Sequence, residues 1–295
     1  MQFHLFLPQM RLSLDRMVEI ARAAEWAGFN GMAGMDHLVP PLAENQPMWE
    51  AMTANTWLAA HTARLRLGSL VLCDAMRNPV VLAREAVTID HASGGRFELG
   101  IGWGSYQSEF DTFALEPARP RDRVVRLRET LEILKGLWSG EPFSYEGQFN
   151  RIDNASFAPV PLTKIPILIG GGGPKTMELV REFADWWNLD VRYLDSYEGE
   201  VFEELKAKAG SARVSTQEMV AFVPAGGDRQ AIAEAAQRRF GHSSPAVGTG
   251  DELREHFAHR ARQGVERSYV WFTDFGNPDT LAAFGEEVIA PLASA

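Results

Sequence analysis

The sequence predicts an α/β protein folded as one closed (β/α)8 barrel of the TIM type, and three observations carry that expectation. Short apolar runs alternate with amphipathic segments along all 295 residues. The alternation recurs eight times, and no linker or low-complexity stretch interrupts it. Strand–helix alternation favours a parallel sheet with crossover helices, and eight repeats favour closure into a ring over an open doubly wound sheet. Residues 1–295 are therefore expected to form a single domain, for which an apolar fraction of 45% supplies ample core.

The first strand reads as Phe3 to Leu7. The helix after it carries Leu14, Met17, Val18 and Ala21 on one face, with Ser13 as its cap and Gly28 at its end. Residues 31–36 read as the second strand, a helix follows over 49–60, and residues 65–72 form the third strand. Asn78-Pro79 opens the next helix as cap and first-turn proline, and Ser93-Gly94-Gly95 stops it. Residues 97–102 make the fourth strand, before a long helix with Val124, Leu127, Leu131 and Leu134 on its apolar face and arginines on its charged one. The alternating FSYEGQFNRIDNA, residues 143–155, reads as a β-hairpin inserted before the fifth strand, 166–169. Residues 186–190, 218–223 and 267–272 complete the eight strands, and Asn277-Pro278 opens a closing helix. The stretch GHSSPAVGTG, residues 241–250, reads as a loop.

A formal charge of −10 and a pI near 5.3 argue against a nucleic-acid surface, and no basic run suits an anionic membrane. No stretch of about 18 apolar residues exists, and MQFHLFLPQ lacks the charged start and long apolar core of a leader. A cytoplasmic protein with a small-molecule partner is expected. One cysteine, Cys73, excludes an internal disulfide and reads as a core or strand-end residue.

In such a barrel the loops after the strands build the site. The most informative of them is PILIGGGGPKT, residues 166–176, where a buried strand feeds a helix through bare backbone. Glycines let N–H groups approach an anion, and Pro174 suits a first helical turn, so the helix's positive end would face a phosphate; an ordinary Gly-rich turn is the plainer alternative. It is not a Walker A loop, because Pro174 stands where a glycine must precede the lysine.

Asp36-His37, after the second strand, is the candidate for proton chemistry, since histidine titrates near neutrality and a neighbouring carboxylate can orient it; a loop-capping pair is the alternative. The following LVPPLAENQPMWEA, with three prolines, reads equally as a pocket wall or a stiff surface crossing. Gly102-Trp103-Gly104-Ser105 fails the GxGxxG pattern but offers flat backbone beside a ring. Trp186, Trp187 and Trp271 read as core. His256 and His259 read as a solvated helix face without a third metal ligand, so no metal site is expected. There is no GxSxG, HExxH or CxxC.

Together these blocks resemble the luciferase-like monooxygenase superfamily. The likeness rests on NPVVLAREAVTIDHASGGRFELGIGWGSYQSEF, on RLRETLEILKGLWSGEPFSYEGQF and on PVPLTKIPILIGGGGPKTMELVREFADWWN, and extends over nearly the whole chain. Within the superfamily it is most similar to the deazaflavin (coenzyme F420)-dependent oxidoreductases. The resemblance implies a (β/α)8 barrel, a flavin or deazaflavin across the strand ends, and commonly a homodimer. By motif, His37 with Asp36 matches the active-site histidine and its neighbour. Leu70-Val71 matches a non-proline cis peptide beneath the ring, and Gly171, Gly172, Gly173, Lys175 and Thr176 the phosphate loop, while Gly102 and Trp103 are expected beside the ring from their own flat backbone and packing surface. Asn188 matches the asparagine ending the family's ADxWN motif. Sugar-phosphate dehydrogenases of the superfamily carry a glutamate after the fourth-strand glycines, where this chain has Gly104-Ser105, so their substrate and acid do not carry over.

The expected activity is hydride transfer between coenzyme F420 and a small, mostly apolar organic substrate. An FMN-dependent monooxygenase and a flavin-binding protein without turnover are the rivals. Extra tail carboxylates on a deazaflavin would favour cations near the mouth, for which Lys175 and Arg192 are the candidates.

Overall fold

The computed structural model describes residues 1–41, 43, 45–117, 119–191, 194, 200–241 and 244–293. Its strands are β1 (Gln2–Phe6), β2 (Gly31–Gly34), β3 (Arg66–Ser69), β4 (Leu72–Cys73), β5 (Phe97–Gly102), β6 (Phe143–Glu146), β7 (Arg151–Ala155), β8 (Ile167–Gly170), β9 (Trp186–Asp190), β10 (Arg213–Phe222), β11 (Ala246–Gly248) and β12 (Arg267–Phe272). Eight of them, β1, β2, β3, β5, β8, β9, β10 and β12, form a ring of parallel neighbours that β1–β12 and β9–β10 pairing closes. The eight-stranded barrel is therefore present.

The helices that matter to the site are α1 (Leu14–Trp26), α2 (Ala51–His61), α3 (Pro79–Ser93), α4 (Gln107–Phe113), α5 (Pro120–Trp138), α6 (Pro174–Phe183), α7 (Glu200–Lys208), α8 (Arg229–Phe240) and α9 (Gly250–Arg262). Their starts follow local chemistry. Ser13 accepts the Arg16 amide at 3.1 Å, and Asn78 accepts those of Val80 and Val81 ahead of Pro79. Glu50 caps α2 through Met52 and Thr53, two residues after the expected start. Each helix lays an apolar face on the sheet, so Leu82, Val87, Leu127, Leu131 and Leu134 are fully or nearly fully buried.

Four differences from the sequence reading have physical causes. The third strand is not continuous: the cis peptide Leu70–Val71 separates β3 from β4, and β4 pairs with β5 alone. The chain passes so close there that a Cβ on Gly100 would lie 1.9 Å from the Ser69 carbonyl oxygen. The seventh strand begins at Arg213, earlier than its apolar end suggests, because Ser215 and Thr216 are buried on opposite faces of the sheet with partners of their own, Ser215 donating to the Trp187 carbonyl and Thr216 meeting the Ser268 hydroxyl. Within the expected loop 241–250, β11 adds a ninth parallel strand outside the ring; it pairs with Val220–Phe222 of β10, and residues 242 and 243 lie outside the described residues. Finally, two arginines of α5 turn away from solvent, whereas Arg121 stays exposed. Arg123, 1% exposed, donates to the Gly104 carbonyl at 2.7 Å, and Arg126 donates to the Asp74 carboxylate at 2.5 Å.

The β6–β7 hairpin is antiparallel and is fixed by buried Glu129 of α5, which accepts the turn amides of Gln148, Phe149 and Asn150. At the N-terminal end of the barrel, Arg267 fills the floor. It donates to Glu98 at 2.6 Å and to Gln2 at 2.8 Å, lies 3.7 Å from the Trp186 ring centre, and Glu98 also takes Arg66. Among the described residues no helix is long and apolar enough to cross a membrane.

Candidate functional site

The C-terminal ends of β2, β4, β5 and β8 surround a cavity of about 500 Å³. Asp36 and His37 come from the first of these ends, Leu70 to Cys73 from the second, Gly102 to Tyr106 from the third and Gly170 to Gly173 from the fourth. Four loops from successive βα units thus lie side by side, and Glu109 and Phe110 of α4 complete the wall.

Asp36 and His37 do not form a pair with each other. Successive side chains on extended backbone point to opposite sides, so each finds a separate partner. Asp36 turns inward: its carboxylate accepts the Cys73 amide at 2.8 Å and the Arg77 guanidinium at 2.5 Å. Burial pushes the Asp36 carboxyl above its usual range, against the pull of Arg77 and the Cys73 amide. Arg77 in turn reaches Glu50 at 2.7 Å. Burial likewise raises the Cys73 thiol, to about 11, with the Asp36 charge adding to it, so this cysteine is no nucleophile.

His37 turns to Glu109, which the sequence reading did not single out. Nδ1 lies 2.9 Å from Glu109 Oε2, and Glu109 Oε1 accepts the Leu38 amide at 2.6 Å. The Glu109 side chain is only 3% exposed, and the Tyr106 ring meets the imidazole edge-on at 5.5 Å. A carboxylate acceptor at Nδ1 selects the Nδ1–H tautomer and leaves Nε2 for the cavity. The signal for Glu109 was its place in the first turn after the fourth-strand loop, which faces the barrel mouth.

The glycine loop enters α6 at Gly173, which supplies no side-chain cap, and Pro174 follows. Gly171 adopts φ +113°, a backbone shape that favours glycine. The first amides of α6 therefore point at the cavity without a capping oxygen, beside buried Thr176. Lys175 is not part of this wall. Helix geometry turns it outward to Glu178, 3.0 Å away, with 76% of its side chain exposed. Arg192 lies outside the described residues. Asn188 is buried under the loop, where its carbonyl accepts the Gly171 amide and its side chain donates to Ser215.

A second cavity of about 660 Å³ adjoins the first and shares His37 and Leu70 with it. Pro41 and Ala43, from the proline-rich stretch, form part of its wall. Trp271 also lines it, unlike Trp187, which is core. His256 is not a free surface histidine: its Nε2 is 2.6 Å from Glu218, a carboxylate buried under α9 that Arg260 also approaches. Among the described residues no group of three potential metal ligands occurs.

The fold and this strand-end cleft define a class of enzyme-like barrels, and comparison with known proteins places the chain in one family. The profile described as luciferase-like monooxygenase matches residues 1–271, and the chain belongs to that family. It is 32% identical over 175 residues to the F420-dependent glucose-6-phosphate dehydrogenase of Nakamurella multipartita, covering 58% of this chain and 50% of the relative. It is 34% identical over 160 residues to the protein of that name from Mycolicibacterium smegmatis, covering 54% and 48%. The match thus spans about half the length of these curated relatives. Among solved structures, an F420-dependent secondary alcohol dehydrogenase in complex with an F420–acetone adduct superposes with a TM-score of 0.82 at 19% identity, covering 98% of both chains. The EDTA monooxygenase of Chelativorans sp. BNC1 superposes with 0.83 at 14% identity, covering 100% of this chain and 94% of that one. Both show the same fold.

Proposed function

We propose that this chain is an oxidoreductase that binds coenzyme F420 at the strand-end cleft and moves a hydride to or from a small, mostly apolar organic substrate. One observation carries the reading: a cavity of about 500 Å³ has flat backbone at Leu70–Val71 and Gly102–Trp103 along one side and an uncapped helix start at Gly173 at the other. A planar ring suits the first side and an anionic tail the second. The relatives over 30% identical that bear an F420-dependent name favour the deazaflavin over FMN. When bound, F420 supplies the two-electron carrier.

The chain's own residues do the rest. Gly172, Gly173 and Thr176 hold the phosphate through backbone amides and a hydroxyl, and Gly171, whose own amide is held by the Asn188 carbonyl, shapes the turn that presents them. Trp103 and Val71 exclude water from the ring's surroundings. His37 holds or releases the accompanying proton at Nε2, and Glu109 positions the imidazole through Nδ1, 2.9 Å away. Asp36 holds β4 in place through the Cys73 amide and touches no reacting group. The proposal extends to a cytoplasmic homodimer, supported by the exposed apolar face of α2 and α3, where Trp57 is 38% and Val81 53% exposed.

Titration of the purified protein with F420 and then with FMN tests the reading. F420 is expected to bind at least about tenfold more tightly, and His37→Ala to abolish turnover while changing F420 affinity by less than about tenfold, roughly 1.4 kcal/mol. Preferred FMN binding with oxygen consumption would make the chain a monooxygenase. Binding without turnover of any alcohol or ketone would make it a carrier, and unchanged turnover in His37→Ala removes the proton role.

A further inference from the structure

The second cavity has a composition that the first does not explain. Phe6, Met35, Leu70, Met219, Phe240 and Trp271 give it a soft apolar lining, with Trp271 packed edge-on against Phe6 and Phe240 at 5.2 and 5.4 Å. Such a surface suits a flat carbon skeleton and leaves most hydroxyls of a sugar without partners, since only Gln217 and His37 stand among the lining side chains that could both give and accept, at a cost of about 1–3 kcal/mol for each buried group left unpaired.

Five polar side chains interrupt the lining, His37 and Gln217 from the barrel mouth and Trp271, Arg11 and Arg239. Trp271 Nε1 is buried and has no hydrogen-bond partner among the described residues, so an acceptor oxygen from a ligand would satisfy it. Arg11 and Arg239 stand at the rim from opposite parts of the chain. Arg239 gives one N–H to the Thr273 carbonyl at 3.1 Å, and neither guanidinium has a carboxylate partner among the described residues. No Asp or Glu lines the cavity among those residues. In a protein of net charge −10, where Arg77 and Arg126 beside the first cavity are each paired with a carboxylate, two guanidiniums without a carboxylate partner among the described residues over one apolar room are a specific arrangement.

We infer that the second cavity takes an aromatic or polycyclic carboxylate: its ring system lies on the Met, Phe and Trp lining, one oxygen accepts from Trp271 Nε1, and its anionic end meets Arg11 and Arg239. This deepens the proposed function, because the shared residues His37 and Leu70 place such a substrate next to the cofactor cleft. It also separates this chain from relatives named for glucose 6-phosphate, a ligand with the right charge and the wrong body.

Calorimetric titration of the protein, with and without F420, by 2-naphthoate, by its uncharged methyl ester and by glucose 6-phosphate tests the inference. The carboxylate is expected to bind at least about tenfold more tightly than either competitor. Arg239→Gln and Arg11→Gln should each cut that preference about threefold or more and together remove it, with F420 affinity within about twofold of the parent as evidence of an intact barrel. Equal binding of acid and ester, preference for glucose 6-phosphate, or a preference that survives in the double variant overturns it. If F420 fails to bind, the proposed function falls instead, and the naphthoate preference of the unloaded protein still decides the cavity's ligand.

Discussion

Arg77 is the side chain on which the inner wall of the cleft depends most. It is 12% exposed, holds Asp36 at 2.5 Å and Glu50 at 2.7 Å, and its backbone carbonyl takes Arg126. Removing it leaves the Asp36 carboxylate buried without its counter-ion. Arg77→Leu is expected to cost about 3–5 kcal/mol at neutral pH by denaturant unfolding. The sign with pH follows from linkage. Asp36 already has a raised folded-state pKa, and the variant raises it further, so the loss is full above that pKa and recedes as pH falls through it and the carboxyl takes a proton. Adding Asp36→Asn should recover most of the loss, and a loss unchanged between pH 7 and 4 contradicts this account. The sequence showed Asp36 and His37 as residues of a barrel mouth, yet it hid their partners. Glu109 is 72 positions from His37 and Arg77 is 41 from Asp36, and no local pattern reports which distant side chain a strand end will face.

Elements were legible wherever local chemistry marks them. Ser13, Asn78-Pro79 and the strands Trp186–Asp190 and Arg267–Phe272 stand where periodicity and capping put them. The failures come from tertiary context. β10 starts in a polar stretch because buried hydroxyls on both of its faces find partners on neighbouring strands, and the third strand breaks where β5 passes too closely for a straight run. The outer faces of α2 and α3 present Trp57, Val80 and Val81 next to a groove of about 690 Å³. If this pair of helices is the homodimer surface, Trp57→Glu should halve the mass measured by light scattering at micromolar concentration and leave the secondary structure intact. A monomeric parent protein, or a dimer indifferent to Trp57→Glu, rejects that surface.

Across the molecule, stability and chemistry occupy opposite ends of the barrel. Arg267, 1% exposed, ties β12 to β5 through Glu98 and to β1 through Gln2, and it lies against Trp186 of β9. Arg267→Met leaves Glu98 in the floor with Arg66 alone and is expected to cost about 3 kcal/mol, the low end for a broken buried pair, with F420 affinity unchanged within about twofold because the cleft is a full strand length away. A parallel loss of affinity would show the two ends to be coupled. The closed ring was readable because eight repeats leave few topologies, whereas the ninth strand, three residues long, carries too little periodicity to be seen. That strand has an architectural consequence. β10 offers one edge to β9 from Arg213 to Gln217 and then yields the same edge to β11 from Val220 to Phe222. The chain from β10 to β11 carries α8, whose last residues Arg239 and Phe240 line the second cavity together with Gln217 and Met219 of β10. Part of that wall therefore hangs on a helix outside the hoop, so trimming α8 at Arg239 and Phe240 would retailor the cavity without opening the eight-stranded ring.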